Sequence, residues 1–544
     1  MSKIEDLHNI SRIPTEAEIE REANTPGIFG RIFRVAKVER TKFVCLATMY
    51  YLIALSYSLI KDLKNSIMIE TQGNAAIAPF QLFFVTPCII ICVSHIQKAL
   101  SKYTISQVLS KVMFIFIIFF FFYGVFIIRY GYVLEPNRFW ACDNFGEGKL
   151  AIRNIEFLYP NLMTINTWTT ALSYLSSELY GGLVLSLLFL SYSNHICAPK
   201  QSLRFTPLYF MASNFGLITS GCATYIIAGF KDTQSYKFNL FVLQFIFIFI
   251  SLCCFVVFIL HKFIENNILN KPLYIIENEQ TKKKKTEKID SIKGLRIMLK
   301  SKLILAMSAT VFLFFLSACM CDTCYCSAMQ VLSIKTNKPA SFVVLKRAAM
   351  SQLSIGCCLL LFLFAPTAIL IEKGYFTFIG GIPIFIVGFL GTCILVLAFL
   401  NKSVAFDSKN DNFLSNFIKS IGYHTNLDLE TKVGWFSTAL FKLSKDGALD
   451  ICKEALSVKI NVKYRATAKN IYDGIVGKIG RMVGSLLFIL LYAIYDTKDA
   501  RDTVNVLLII HLTGVIILIF CMLYLGRKYN ESMNNNSDID LGFK

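Results

Sequence analysis

The chain has 544 residues and a formal net charge of +19, with 55% hydrophobic and only 17% charged residues. Its mean hydropathy of +0.55, and its distance from the roughly 25% charged residues of a soluble domain, exclude an ordinary water-soluble globule. The apolar excess is spread along the chain, which excludes a single anchor, and the polar first forty residues are not expected to hold a cleavable leader.

Crossing a hydrocarbon core as helix takes about 20 apolar residues. In chain order, residues 43–60, 75–96, 112–128, 168–191, 205–229 and 240–260 meet that demand, and 303–320, 353–371, 379–400, 475–495 and 504–524 follow. A twelfth segment, 433–451, is weaker because it carries Lys442, Lys445, Asp446 and Asp450. The runs are continuous instead of alternating over about ten residues, which argues against a β-barrel. Helix is then the remaining structure that satisfies its own backbone in lipid. The 48 Phe and 24 Tyr residues suit helices facing lipid and its interfaces.

Basic residues cluster in three places. Arg31, Arg34, Lys37, Arg40 and Lys42 precede the first segment against the single acid Glu39. Lys282, Lys283, Lys284, Lys285, Lys288, Lys293, Arg296, Lys300 and Lys302 fill the gap between the sixth and seventh segments, and Arg527 and Lys528 follow the last. By the positive-inside rule both termini and the central loop share the cytoplasmic side. That arrangement demands an even number of crossings in each half, so the weak segment counts. The expected fold is an all-α polytopic membrane protein of about twelve transmembrane helices in two six-helix halves. The expected boundaries are a tail at 1–42, a first half at 43–260, a basic linker at 261–302, a second half at 303–525 and a tail at 526–544. A linker this basic is expected to meet anionic lipid and not nucleic acid. Twelve helices in two halves are common among secondary carriers.

Charge inside a spanning segment costs at least about 2.5–3.5 kcal/mol on insertion scales, so it usually faces a cavity or a partner. Lys61 and Lys64, three apart at the end of the first segment, would share a helix face and suit a polyanion such as a phosphate chain. They could equally be interfacial lysines reaching back to water. Glu178 in the fourth segment suits pairing with a lysine, hydrogen bonding to a substrate, or carrying a proton. Lys442 and Lys445 share a face of the weak segment with Asp446 beside them, as on a substrate path or partly in a loop. Lys478 and Arg481, three apart, add to the positive end of the eleventh helix; an anionic substrate or positive-inside charge would each explain them.

Asp322 lies among Cys319, Cys321, Cys324 and Cys326, which read as apolar fillers more readily than as metal ligands. The 17 cysteines show neither zinc spacing nor a disulfide framework. There is no G-x-x-x-x-G-K-[ST] and no H-E-x-x-H, and the six histidines (His8, His95, His195, His261, His424 and His511) are scattered. Neither a metal nor a cofactor is expected, and the chain reads as a carrier and not as an enzyme.

Several stretches together resemble a known family. They are Lys61-Asp62-Leu63-Lys64-Asn65-Ser66, Ala78-Pro79-Phe80 with Pro87, and Ser177-Glu178-Leu179-Tyr180-Gly181-Gly182-Leu183-Val184-Leu185-Ser186-Leu187-Leu188-Phe189 with Asn194. Lys200, Arg204, Phe205, Pro207 and Leu208 continue the match, and Leu443-Ser444-Lys445, Lys453-Glu454 and Gly477-Lys478-Ile479-Gly480 extend it more diffusely into the second half. The pattern is similar to the nucleotide transporters of plastids and obligate intracellular parasites, the non-mitochondrial ATP/ADP translocases, and closest to their microsporidian branch. The resemblance implies a major-facilitator-like carrier, exchange of ATP for ADP with GTP and GDP as further substrates, and a parasite plasma membrane as its location. It assigns Lys64 to phosphate binding, Glu178 to the membrane-buried acid and Lys478 to the second-half basic position. With Lys61, Lys445 and Arg481, these are the candidate substrate-binding residues. The family usually has a glutamate in its seventh segment where this chain has Ser327, with Asp322 more than a turn earlier, which leaves selectivity and ion coupling open. A proton-coupled nucleotide or other organic-anion symporter, and a non-transporting scaffold or receptor, are the alternative readings.

Overall fold

The computed structural model describes residues 16–23, 35–100, 102–135, 164–197, 199–269, 301–362, 374–405, 426–460, 468, 471–472, 476–497, 499–535 and 539. No β-strand occurs among them. The first spanning helix, α1, runs Arg40–Gln72. At about 1.5 Å per residue its 33 residues outreach a bilayer core, so Lys61, Asp62 and Lys64 lie inside the helix and not at its end. Gly73 stops it. With φ at +82°, a conformation glycine adopts freely, its N–H returns to the Ile69 carbonyl at 3.2 Å, and α2 (Asn74–Leu100) starts at once in the opposite direction.

The first half continues with α3 (Ile105–Gly131), α4 (Trp168–Ile196) and α5 (Pro199–Thr233), and closes with α6 (Tyr236–Phe263), which a π-turn extends to Ile268. At the start of α3, Thr104 and Gln107 cap each other's backbone reciprocally. The second half comprises α7 (Lys302–Thr336), α8 (Ala340–Phe362), α9 (Phe376–Ala405), α10, α11 (Gly477–Tyr495) and α12 (Val504–Asn535). Three consecutive stretches, Leu427–Ser444, a π-turn Lys445–Leu449 and Asp450–Val458, make up α10.

Eleven helices carry a run long and apolar enough to cross a membrane, and α10 is the twelfth. Its charged residues keep it below the hydropathy of the others without interrupting its backbone. The first and seventh segments run on to Gln72 and Thr336, past their expected ends at 60 and 320, and the eighth starts earlier than expected. It starts at Ala340, not at 353, because Lys346 and Arg347 hide its first half from a hydropathy window; residues 363–371 lie outside the described residues. Helices α6 and α12 also run past their expected ends at 260 and 525.

Each half owns a core. Tyr50, Phe120, Tyr180, Phe189 and Phe247 are buried in the first, with the Tyr50 and Phe189 rings stacked at 4.6 Å. In the second, Phe376 stacks on Tyr529 at 4.5 Å, and Phe488 and Tyr492 are buried in the same core. Aromatic side chains such as Phe241, Phe385 and Phe520 are exposed on the outside, where lipid would meet them. The protein is a multi-pass membrane protein of major-facilitator-like fold.

Glycines let the helices approach, as small residues do in membranes. Gly356 of α8 faces Ile218 of α5, and Gly221 of α5 faces Leu353 of α8, which joins the halves along one seam. Within the first half Gly181 of α4 lies against the Tyr57 ring of α1, and within the second Gly434 of α10 lies against the Tyr325 ring of α7. The first and fourth helices of each half thus meet by the same contact, a repeat the side-chain sequence conceals.

A methyl group at Gly181 would come within 2.2 Å of Tyr57, whereas one at Gly182 meets nothing within 4 Å. Gly181→Ala is therefore expected to destabilise the protein by about 1–3 kcal/mol, as overpacking does, and Gly182→Ala to leave it unchanged or slightly firmer. Thermal unfolding of the two variants in detergent checks the contrast.

Candidate functional site

Helix α1 directs Lys64 into its seam with α4, where the side chain is 4% exposed and its ammonium pairs with the Glu178 carboxylate. A desolvated ammonium needs an anion or a π-face, and Lys64 has both: its Nζ lies 4.0 Å from the centroid of the Tyr174 ring. Tyr174, one turn before Glu178 on α4, is itself fixed by Gln81 of α2, whose Nε2 donates to the phenol oxygen at 2.7 Å. Glu178 keeps 25% of its side chain exposed. The lysine is thus enclosed, and the acid looks outward from the same pair.

Lys61 on α1 and Asp322 on α7 are exposed although they lie well inside spanning helices, and Arg481 is exposed one turn into α11. Asp322 accepts a hydrogen bond from the Thr438 hydroxyl of α10 at 3.1 Å, and the Arg481 guanidinium lies 4.9 Å from the Phe315 ring centroid. Lys61 and Arg481 both act electrostatically on Glu178 and on Asp322. Side chains from both halves therefore share one field, in a space between the halves that water reaches. Lys442, one turn beyond Thr438 on α10, is within electrostatic reach of Lys61. Towards the face where α6 ends and α7 begins, Lys445 and Asp446 continue the line, about a quarter to a third exposed.

The opposite face is closed by contacts between the halves. Asn74, 3% exposed at the α1–α2 turn, donates from its amide to the Thr323 carbonyl at 3.1 Å and to the Ser327 hydroxyl at 2.9 Å. Its backbone N–H reaches Gln330 Oε1 at 3.2 Å. Ser327 also accepts the backbone N–H of Ala500 at 3.3 Å, so it ties the start of α2 and the approach to α12 to α7. Lys338 and Asp232 add an ion pair at 2.7 Å near the same face. Deeper in the seam, the buried Asp62 accepts from the Gln352 side-chain amide of α8.

Of the candidate residues, the structure gathers Lys61, Lys64, Glu178 and Arg481 about one space. Lys445 lies nearby, but its ammonium is held by Asp446 and Asp450, each at 2.8 Å. Lys478 is exposed on α11, and among the described residues it makes no ion pair. Tyr174, Gln81, Thr438 and Asn74 complete the site and carry no charge that would mark them in a sequence. Among the seventh-helix cysteines, Cys321 and Cys324 are buried in the second core, and no three His, Cys, Asp or Glu side chains among the described residues could hold a metal ion.

Residues 20–529 match the family described as TLC ATP/ADP transporter. The chain is 33% identical over 546 residues to the ADP,ATP carrier protein 1 of Paranosema grylli, covering 99% of this chain and 97% of that protein. It is 30% identical over 547 residues to the ADP,ATP carrier protein 1 of Encephalitozoon cuniculi, covering 99% and 96%. Among solved structures, a bacterial homologue of the iron transporter ferroportin in an inward-facing state superposes with a TM-score of 0.53 at 10% identity, covering 90% of this chain and 98% of that one. That last likeness is one of fold alone.

Removing one member of a buried ion pair leaves the other uncompensated. Glu178→Gln is expected to cost about 3 kcal/mol because Lys64 is enclosed, and Lys64→Gln less, because Glu178 retains contact with water. The double variant should recover most of the loss. Thermal unfolding of the singles and the double in detergent measures the coupling.

Proposed function

The chain belongs to the TLC ATP/ADP transporter family, and on that premise we propose that it exchanges ATP for ADP by alternating access, with the nucleotide bound between its halves. One observation carries the site assignment: Lys61 and Arg481, cations from opposite halves, stand exposed on spanning helices and act on the same two acids, Glu178 and Asp322. A bare ammonium or guanidinium is costly there unless water or an anion meets it. A phosphate chain carries several charges and many acceptor oxygens, and Arg is suited to bind it bidentately.

In this reading Lys61 and Arg481 hold phosphate oxygens. Lys64 stays with Glu178 and keeps α1 and α4 in register, while the outward oxygen of Glu178 accepts from a substrate hydroxyl or amine. Asp322, presented by Thr438, offers a second acceptor across the space. The site faces the side of the basic linker, and the Asn74–Ser327 junction seals the other side. Alternating access then requires the junction to open and the linker side to close. Exchange follows when the loaded carrier reorients much faster than the empty one, whose cations lack counter-ions. The relatives' names supply the adenine nucleotides; GTP and GDP are further substrates under this proposal, to be tested by competition. The basic linker and flanks assign that side to the cytoplasm, and the microsporidian relatives favour a parasite plasma membrane.

Labelled ATP uptake into proteoliposomes tests the function. Uptake should depend on ADP in the lumen, and uptake undiminished by an empty lumen would overturn obligate exchange. Lys61→Ala and Arg481→Ala should each raise the KM for ATP about tenfold, the size of one charge-assisted hydrogen bond. Lys478→Ala should raise it less, and the reverse ranking would move the phosphate site towards the end of α11.

A further inference from the structure

We propose that Lys442 is a further phosphate ligand from the second half, beside Arg481, and that the phosphate chain bridging Lys442 to Lys61 is the counter-ion that lets the two halves close. This rests on the nucleotide-exchange reading above. It concerns a residue that the family pattern does not mark.

The acids of α10 are already committed. Asp446 binds Lys445 at 2.8 Å, and Asp450 binds Lys445 at 2.8 Å and Lys453 at 2.5 Å. Lys442 has no ion pair among the described residues, yet it lies within a helix that crosses the membrane. Register shows where it faces. Gly434 packs on Tyr325, Thr438 reaches Asp322, and Lys442 is the next residue of that i, i+4 stripe, one turn nearer the open side. The charges that act on it are Lys61, Asp446, Lys445 and Asp62. Of the two acids, Asp446 is taken by Lys445, and Asp62 is 6% exposed in the α1–α8 seam with Gln352 as its donor. Lys61 and Lys442 therefore form no ion pair among the described residues, whereas Lys445 is held by Asp446 and Asp450.

Lys61 belongs to the first half and Lys442 to the second, so closing the open side brings like charges together as water leaves and screening falls. A phosphate chain between them reverses the sign of that interaction. Binding energy then appears in the closed state, where it drives reorientation, and not in the open one. Arg481 holds further phosphate oxygens as above, and Asp322, one turn deeper than Lys442, faces the remainder of the nucleotide.

The experiment uses the full chain in proteoliposomes and compares labelled ATP uptake into ADP-loaded and empty vesicles for the unmodified protein, Lys442→Gln and Lys442→Arg. Removing the charge should let the empty carrier return. The loaded-to-empty ratio should fall about fivefold or more for Lys442→Gln, the KM for ATP should rise about tenfold, and Lys442→Arg should keep the unmodified ratio. A Lys442→Gln protein with unchanged ratio and unchanged KM overturns the proposal. Should that variant transport nothing, ATP binding to the purified protein decides: binding about tenfold weaker supports the bridge, and unchanged binding overturns it. Failure of the unmodified protein to exchange ATP for ADP would instead sink the nucleotide reading itself.

Discussion

The ion pair between Lys64 and Glu178 joins α1 to α4 at a depth where neither charge would be tolerated alone. The same rule sorts the other charges of the chain. Those that are enclosed are paired: Glu39 with Arg204 at 2.9 Å where α1 and α5 begin, and Glu430, 1% exposed, with the amide of Asn401 at 2.7 Å and close to Arg501. Lys61 and Arg481 make no ion pair among the described residues and are exposed. Enclosed pairs brace each half internally, and the wet cations mark the surface along which the halves move.

That division fits a carrier of two rigid bodies. Each half has its own aromatic core, and each repeats the glycine-on-tyrosine contact between its first and fourth helices. The seam between halves is different in kind. It uses close-packed glycines, hydrogen bonds from Asn74 to Ser327 and from Gln352 to Asp62, and the partly exposed ion pair of Lys338 with Asp232. Contacts of that kind, each worth about 1 kcal/mol net, can be exchanged for others as the access side changes.

Most of the fold was legible in the sequence, since twelve helices in two halves follow from hydropathy and the placement of basic residues. The errors have a common cause. Hydropathy ends a segment at its first charge, whereas α1 continues past Lys61, Asp62 and Lys64 because Lys64 has its partner on α4, Asp62 has its partner on α8 and Lys61 is exposed. Lys346 and Arg347 hid the start of α8 in the same way. The site was legible in part. A lone acid at Glu178 calls for a cation, and Lys64 is that cation. That Lys445 is engaged by Asp446 and Asp450 while Lys442 is not depends on side-chain direction along a π-turn, which spacing does not encode. Asn74 and Thr438 matter through contacts across the interface, and an uncharged residue gives no sign of such a contact.

The central claim is that nucleotide phosphates lie between the halves, on cations contributed by both. The structure of the full chain with ATP bound tests it most directly. The expected result is phosphate density within hydrogen-bonding distance of Lys61 and Arg481, with the Lys64–Glu178 pair intact. Phosphates bound elsewhere, on the lysines of the linker side or on Lys64 released from Glu178, would contradict it.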